Sequence, residues 1–193
     1  MKKLKERLAN LLESETPSLF LDRDGVINIK KELDYVRNWD EFRFIPGVIE
    51  ALRFLSEIFK RIIIVTNQRG VGRGFMTEDD LKDIHDKMLK IFAENSVRVD
   101  KVYSCTCDPE KDPDCYCRKP SPRMAYLAKD DFPEIEFANS VMVGDSPKDV
   151  EFGKKLGMVT VLLGNNKEPE ADYIFSDLFE FAEYVKLVLG RKG

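Results

Sequence analysis

The chain has 193 residues, is 34% charged and 43% hydrophobic, and carries a formal net charge of −4. That length predicts one domain spanning residues 1–193 with a substantial core, and the charge balance argues against a non-specific nucleic-acid or anionic-membrane binder. No apolar run is long enough for a transmembrane helix, and Glu6 and Asn10 interrupt the apolar core a signal peptide needs, so a cytoplasmic chain with reduced thiols is expected.

Residues 2–13 read as a helix with Leu4, Leu8, Leu11 and Leu12 on one stripe. Pro17 closes this N-terminal extension (1–17), which is expected to cover part of the domain in a monomer or weak dimer. The first strand is Leu19–Asp22. Asn28–Phe44 follows as an irregular stretch with Tyr35, Arg37 and the only tryptophan, Trp39. It suits a lid or substrate-facing loop, some of whose rings serve only to pin it down. Pro46–Phe59 has helical spacing behind an initial proline. Arg61–Thr66, R-I-I-I-V-T, is the unbroken β-branched run of a parallel strand buried on both faces. After the turn N-Q-R-G-V-G-R-G-F, Thr77 and Asp80 open a helix in capping style that runs to about Asn95.

Val99–Ser104 is the third strand, and the cysteines come next. A helix from about Pro122 to Lys129, a strand at Ser140–Gly144 and a helix at Pro147–Leu156 follow. Strands at Met158–Leu163 and Tyr173–Phe175 and a last helix, Leu178–Leu189, complete the order. Strands alternating with helices specify an α/β fold with a doubly wound, mostly parallel sheet. Such a sheet binds ligands beyond the carboxyl ends of its strands, at the switch in strand order. Three strands end there in polar residues: Asp22 and Asp24, Thr66 and Asn67, and Asp145.

Asp22 and Asp24 would project from the strand end in one direction, and two acids so close call for a cation or a shared proton between them. If the substrate is a phosphate monoester, Asp22, Asp145 and a carbonyl from Asp24 suit the few-carboxylate oxygen shell of Mg²⁺. One carboxylate can attack phosphorus, and a protonated second one can supply the leaving-group proton and later activate water. The single histidine, His85, reads as a solvated helix residue, so acid–base work falls by elimination on Asp24. Like-charge repulsion is expected to keep Asp24 protonated while Asp22 is ionised. Thr66, the backbone of the turn after it, and Lys119 could bind phosphate oxygens, although R-K-P alone equally describes a surface lysine. Asp149 could fix Lys119 or metal-bound water, or simply favour a helix N-terminus. All four cysteines lie in two C-x-C pairs, Cys105 with Cys107 and Cys115 with Cys117. They form a closed thiolate set suited to a structural Zn²⁺ in a zinc loop at 105–117, with free thiols or a redox pair as the alternative.

These motifs resemble the haloacid dehalogenase superfamily of phosphatases, in order along the chain: D-R-D-G-V at Asp22–Val26, T-N-Q at Thr66–Gln68, R-K-P at Arg118–Pro120 and G-D-S-P-K-D at Gly144–Asp149. The resemblance implies a Rossmannoid sheet with a small zinc loop and no large cap domain, with Asp22 as nucleophile and Asp24 as general acid/base. It implies phosphate binding by Thr66, Asn67 and Lys119, Mg²⁺ at Asp22, Asp24 and Asp145 with Asp149 in the outer shell, and substrate contacts from Arg118, Arg73 and Asn28. Within the superfamily, Tyr35-Val36, Phe42–Gly47 and Asn67–Thr77 look like the zinc-loop phosphatases of heptose 1,7-bisphosphate. Two departures stand out. Cys107 replaces a common histidine, and Ser146 stands where a lysine often follows the last motif's aspartate.

The expected function is Mg²⁺-dependent hydrolysis of a small phosphorylated metabolite through an aspartyl-phosphate, most directly the 7-phosphate of the heptose bisphosphate. The alternative is histidinol phosphate, whose cationic imidazole would call for acidic loop residues rather than arginines and lysines. A nucleic-acid 3′-phosphatase would need a basic groove that this composition lacks. A non-catalytic zinc-stabilised module is the remaining reading.

Overall fold

In the computed structural model, which describes residues 2–164 and 170–190, six strands form one sheet in the order β3-β2-β1-β4-β5-β6. The strands are β1 (Ser18–Leu21), β2 (Arg61–Asn67), β3 (Lys101–Cys105), β4 (Ser140–Gly144), β5 (Val159–Leu163) and β6 (Tyr173–Phe175). Every pairing is parallel. The helices are α1 (Lys2–Leu12), α2 (Val48–Ile58), the single turn α3 (Arg69–Gly72), α4 (Glu78–Glu94), α5 (Arg123–Asp131), α6 (Pro147–Lys155) and α7 (Leu178–Val188). No helix among the described residues is long and apolar enough to cross a membrane.

The near-continuous apolar runs of β1, β2 and β4 reflect burial on both faces, as expected of a sheet with helices on either side. Alternate residues sort into two cores. Leu19, Leu21, Ile62, Ile64, Val141 and Val143 pack with residues of α1, α2, α4 and α7. Phe20, Ile63, Val65 and Met142 face the other way, toward residues of α5 and α6. The extension α1 buries Leu8, Leu11 and Leu12. Burial of each such leucine is worth about 1.5–3 kcal/mol, enough to hold an 11-residue helix that would be marginal alone.

Register carries this pattern to the site. Leu21 lies beside both Ile64 and Val143, and β2 continues to Asn67, so the carboxyl ends of β1, β2 and β4 open on the same edge of the sheet. The order reverses between β1 and β4, which is the switch point. The sheet differs from expectation at β3, which occupies Lys101–Cys105 rather than Val99–Ser104. The physical cause is Asp100, whose carboxylate accepts from the Ile62 backbone N–H (2.7 Å) and from Arg61 (2.8 Å) and so ties down the lead-in. Cys105 thereby becomes the last residue of a strand.

The Asn28–Phe44 stretch is stitched at its base, where the Ile29 N–H donates to the Arg43 carbonyl (2.8 Å) and the Ile45 N–H to the Ile27 carbonyl (3.0 Å). Trp39 stacks on Phe42 with centroids 4.9 Å apart, and Phe44 meets Phe92 of α4 at 5.6 Å. Those rings anchor the loop, as expected of some of them. Among the described residues this loop and the cysteine loop are what rises over the sheet's carboxyl edge, and no large cap is present.

Candidate active site

The backbone N–H of Asp22 donates to the Val143 carbonyl (2.9 Å), which prolongs the β1–β4 ladder by one residue and fixes where the first carboxylate emerges. Gly25 then turns the chain with φ +86°, and a Cβ there would lie 2.4 Å from an Asp145 carboxylate oxygen. Only glycine meets both demands. On β4's side, Ser146 and Asp149 form a capping box at the start of α6. The cap aims the other Asp149 oxygen inward.

That oxygen lies 2.6 Å from Lys119 Nζ, which also sits 2.9 Å from Asp22. Lys119 is almost completely buried. Its backbone is held by Asn67, which accepts from the Lys119 N–H (2.9 Å) and donates to the Lys119 carbonyl (3.3 Å). The Asn67 side chain is therefore a clamp joining β2 to the R-K-P segment. Oxygens of Asp22, Asp145 and Asp149 all lie within 4.8 Å of one another, a spacing that could hold a metal ion. These carboxylates, with Asp24 and Lys119, line a cleft of about 360 Å³ whose other charged groups are Arg118, Lys30 and Lys148. Lys30 reaches down from the loop to Asp145, 2.6 Å away. Arg118 has its Nη1 buried without a partner among the described residues. Sequence reasoning did not single out Lys30 or Lys148, since surface-type lysines carry no motif signal.

The two carboxylates of D-R-D-G are shifted in opposite directions. Burial pushes Asp22 up to about 7, Lys119 opposes the rise, and the nearby Asp149 and Asp24 add to it. Asp24 is held below the usual carboxylate range. Its burial is outweighed by the Arg23 guanidinium and by hydrogen bonds from Asn28, Gln68 and Arg23. Burial and hydrogen bonding thus shift the two carboxyls in opposite directions, Asp22 up and Asp24 down, whereas like-charge repulsion was expected to raise Asp24. Like-charge repulsion was the wrong deciding influence, because Asp24 sits in a nest of donors that repulsion alone does not reveal. Arg23 Nη2 donates to both Asp24 oxygens (3.1 and 3.0 Å), Gln68 Nε2 to one (2.8 Å) and Asn28 Nδ2 to the other (2.9 Å).

Three other residues singled out from the sequence sit in or beside this nest. Asn28 is fully buried, and its side-chain amide donates to Asp24. Thr66 is buried, and its hydroxyl accepts from Gln68 (2.8 Å). His85 is not a solvated helix residue: its Nε2 lies 3.1 Å from Arg23 Nη1, and burial and that cation push the imidazole down to about 3. Its positions on α4, in line with Leu81 and Leu89, would have been the signal.

Arg73 is turned away from the cleft lining and pairs with Glu110 (3.3 Å) and Asp108 (3.7 Å), while Arg69 meets Asp108 at 2.5 Å. Both arginines tie the turn after β2 to the cysteine loop. Gly72 is required there because a Cβ would lie 2.5 Å from the Thr106 carbonyl. The four cysteine sulfurs converge on one point. Cys105 lies 3.3 Å from Cys107 and 3.6 Å from Cys115, and Cys117 lies 3.8 Å from both Cys107 and Cys115. The remaining pairs, Cys105 with Cys117 and Cys107 with Cys115, are drawn to bonding distance. All four sulfurs lie within 4.8 Å of one another, a group that could hold a metal ion, and a closed set of four thiolates suits Zn²⁺.

Comparison with known proteins follows the same lines. The HAD-hydrolase-like family matches residues 116–180. The D-glycero-alpha-D-manno-heptose-1,7-bisphosphate 7-phosphatase of Campylobacter jejuni is 37% identical over 174 residues, covering 89% of this chain and 97% of that protein. The D-glycero-beta-D-manno-heptose-1,7-bisphosphate 7-phosphatase of Vibrio cholerae is 39% identical over 158 residues, 79% of this chain and 83% of that protein. The crystal structure of the D,D-heptose 1,7-bisphosphate phosphatase from B. bronchiseptica, complexed with magnesium and phosphate, superposes with a TM-score of 0.79 at 28% identity. It covers 89% of this chain and 99% of that one.

Proposed function

We infer that this chain, which belongs to the HAD-like hydrolases and is a phosphatase of that family, removes the 7-phosphate of D-glycero-D-manno-heptose 1,7-bisphosphate. The observation that carries the chemistry is a buried lysine, Lys119, bridging Asp22 and Asp149 beside Asp145. The substrate comes from the relatives, which act on that sugar bisphosphate.

Asp22 is assigned as the nucleophile. Its carboxylate oxygen attacks phosphorus, an acyl-phosphate forms, and the bond from phosphorus to the sugar oxygen breaks. Asp24 gives that oxygen its proton, then takes one from the water that attacks phosphorus and releases phosphate from Asp22. The incoming phosphate's negative charge favours proton uptake at Asp24, against the pull of Arg23. Lys119 offsets charge at Asp22 throughout. The donor set of hard oxygens at Asp22, Asp145 and the adjacent Asp149 fits Mg²⁺, which when bound would neutralise phosphoryl charge and lower the cost of ionising Asp22. Arg118, whose buried Nη1 has no partner among the described residues, and Lys30 are assigned to the sugar's distal side. Zinc at Cys105, Cys107, Cys115 and Cys117 is assigned a structural role, fixing the loop from which Arg118 and Lys119 emerge.

Arg118, Lys30 and Lys148 surround the cleft with positive charge. This suits a bisphosphate and opposes a cationic histidinol phosphate. The test is kcat/KM with Mg²⁺ for the heptose bisphosphate in both anomers, histidinol phosphate and a generic aryl phosphate. Preference for the heptose by about 100-fold or more is expected from its second phosphate. Near-equal values would defeat the substrate assignment.

A further inference from the structure

We propose that His85 is a positioning residue for the general acid/base, acting through Arg23 to hold Asp24 in line with the leaving oxygen. The proposal rests on the phosphatase reading above.

Arg23 stands between the two carboxylates in sequence, and its side chain has no exposure at all. Burying a guanidinium is costly unless its donors are used and its charge is paired, and apolar packing gains nothing from it. Here both terminal nitrogens are engaged. Nη2 serves both oxygens of Asp24 and, at 3.1 Å, Gln68 Oε1. Nη1 meets His85 Nε2 at 3.1 Å. Nε is buried without a partner among the described residues.

A guanidinium only donates. His85 Nε2 must therefore accept, which makes the ring neutral with its proton on Nδ1. A planar fork held at both ends cannot swing. Asp24 and Gln68 fix Nη2, and His85 fixes Nη1. His85 itself comes from a rigid element, since α4 is anchored by the reciprocal Thr77–Asp80 cap. Beyond the ring lies a groove of about 560 Å³ between α4 and β3.

With the His85 acceptor removed, Nη1 becomes a buried donor in search of a partner, and the nearest supply is water from that groove. The fork then turns, and its two-oxygen grip on Asp24 is lost. Asp24 is 23% exposed at its side chain, so it has room to follow. The damage should fall on the step Asp24 serves. A sugar alkoxide is a poor leaving group that needs a proton as the phosphorus–oxygen bond breaks, whereas p-nitrophenolate leaves unaided. A structural defect would slow both substrates alike.

The experiment compares wild type, H85L and H85Q on heptose 1,7-bisphosphate and p-nitrophenyl phosphate, reading kcat/KM, which stops at leaving-group departure. Circular dichroism and thermal melting establish folding. H85L should lose about 10-fold on the sugar phosphate, a fraction of what a general acid supplies, and no more than about 2-fold on the aryl ester. H85Q, whose Oε1 can accept from Nη1, should return to within about 3-fold of wild type. Equal losses on the two substrates, an H85Q as impaired on the sugar phosphate as H85L, or an unimpaired H85L would each overturn the proposal. Should H85L not fold, H85S carries the same comparison. A wild type that hydrolyses the aryl ester but not the heptose bisphosphate would refute the substrate reading alone, and the alkyl ester glycerol 2-phosphate would then replace the sugar in the test.

Discussion

Asp22 and Asp24 are two residues apart on one strand end and both are largely buried, yet they live in opposite environments. Around Asp22 the neighbours are mostly other carboxylates, Asp145 and Asp149, with a single buried cation, Lys119, shared between Asp22 and Asp149. Around Asp24 every close partner donates: Arg23, Asn28 and Gln68. One pocket is short of positive charge and the other is saturated. The lesson is that the D-x-D pattern alone does not assign protonation states. The donors within hydrogen-bond reach set the direction of each shift, and they come from Arg23 itself, from Gln68 just past β2, from the loop base and, one step further back, from α4.

The contrast can be broken most directly by removing each carboxylate in turn. D22N should reduce kcat on the sugar phosphate by about 10³-fold or more, as loss of a nucleophile does, and should leave the melting temperature near wild type because an amide relieves a buried charge. Turnover above a tenth of wild type would remove Asp22 from the nucleophile's role. D24N should lose about 10²–10⁴-fold and should also unfold more easily, by about 3–5 kcal/mol, because the buried Arg23 cation loses its counter-ion. Equal stability of the two variants in urea melts would erase the difference drawn between the pockets.

A smaller effect is expected at the cysteine loop, which supports the Asp22 side through Lys119. Stripping zinc with a chelator should lower the melting temperature by roughly 5 °C or more and slow turnover, with both restored by added Zn²⁺. A stripped protein that melts and turns over unchanged would end the structural role. The smallest effect belongs to Lys30, nearly half exposed and paired with Asp145. K30M should raise KM by about 2–5-fold with kcat nearly intact, the scale of a solvent-screened charge. A large loss in kcat would place Lys30 in the chemistry rather than at its edge.

Much of this molecule was legible in advance for a physical reason. The β-branched run of β2 and the apolar stretches of β1 and β4 have no use except in a sheet covered on both faces, and the Thr77–Asp80 and Ser146–Asp149 caps announce the starts of α4 and α6. Asp22, Asp145, Asp149 and Lys119 were readable because each follows a strand end or a motif at short range. Arg118 joins them in the cleft, but Arg73 does not, because acidic residues on the cysteine loop, Asp108 and Glu110, the latter 37 positions away, claim it. Thr66 and Asn28 turned inward to Gln68 and Asp24, and Asn67 to Lys119, since a buried hydroxyl or amide must find a partner and those were within reach.

What the chain order and residue types settle by themselves is the α/β architecture, the carboxyl-edge location of the site and the pairing of two C-x-C segments. These follow from local periodicity and from the covalent attachment of motifs to strand ends. What only the tertiary structure decided is the contrast between the surroundings of Asp22 and those of Asp24, and the place of His85. Sixty-two positions separate Arg23 from His85. Such a contact depends on the angle at which a helix crosses a sheet, and no spacing along the chain encodes it.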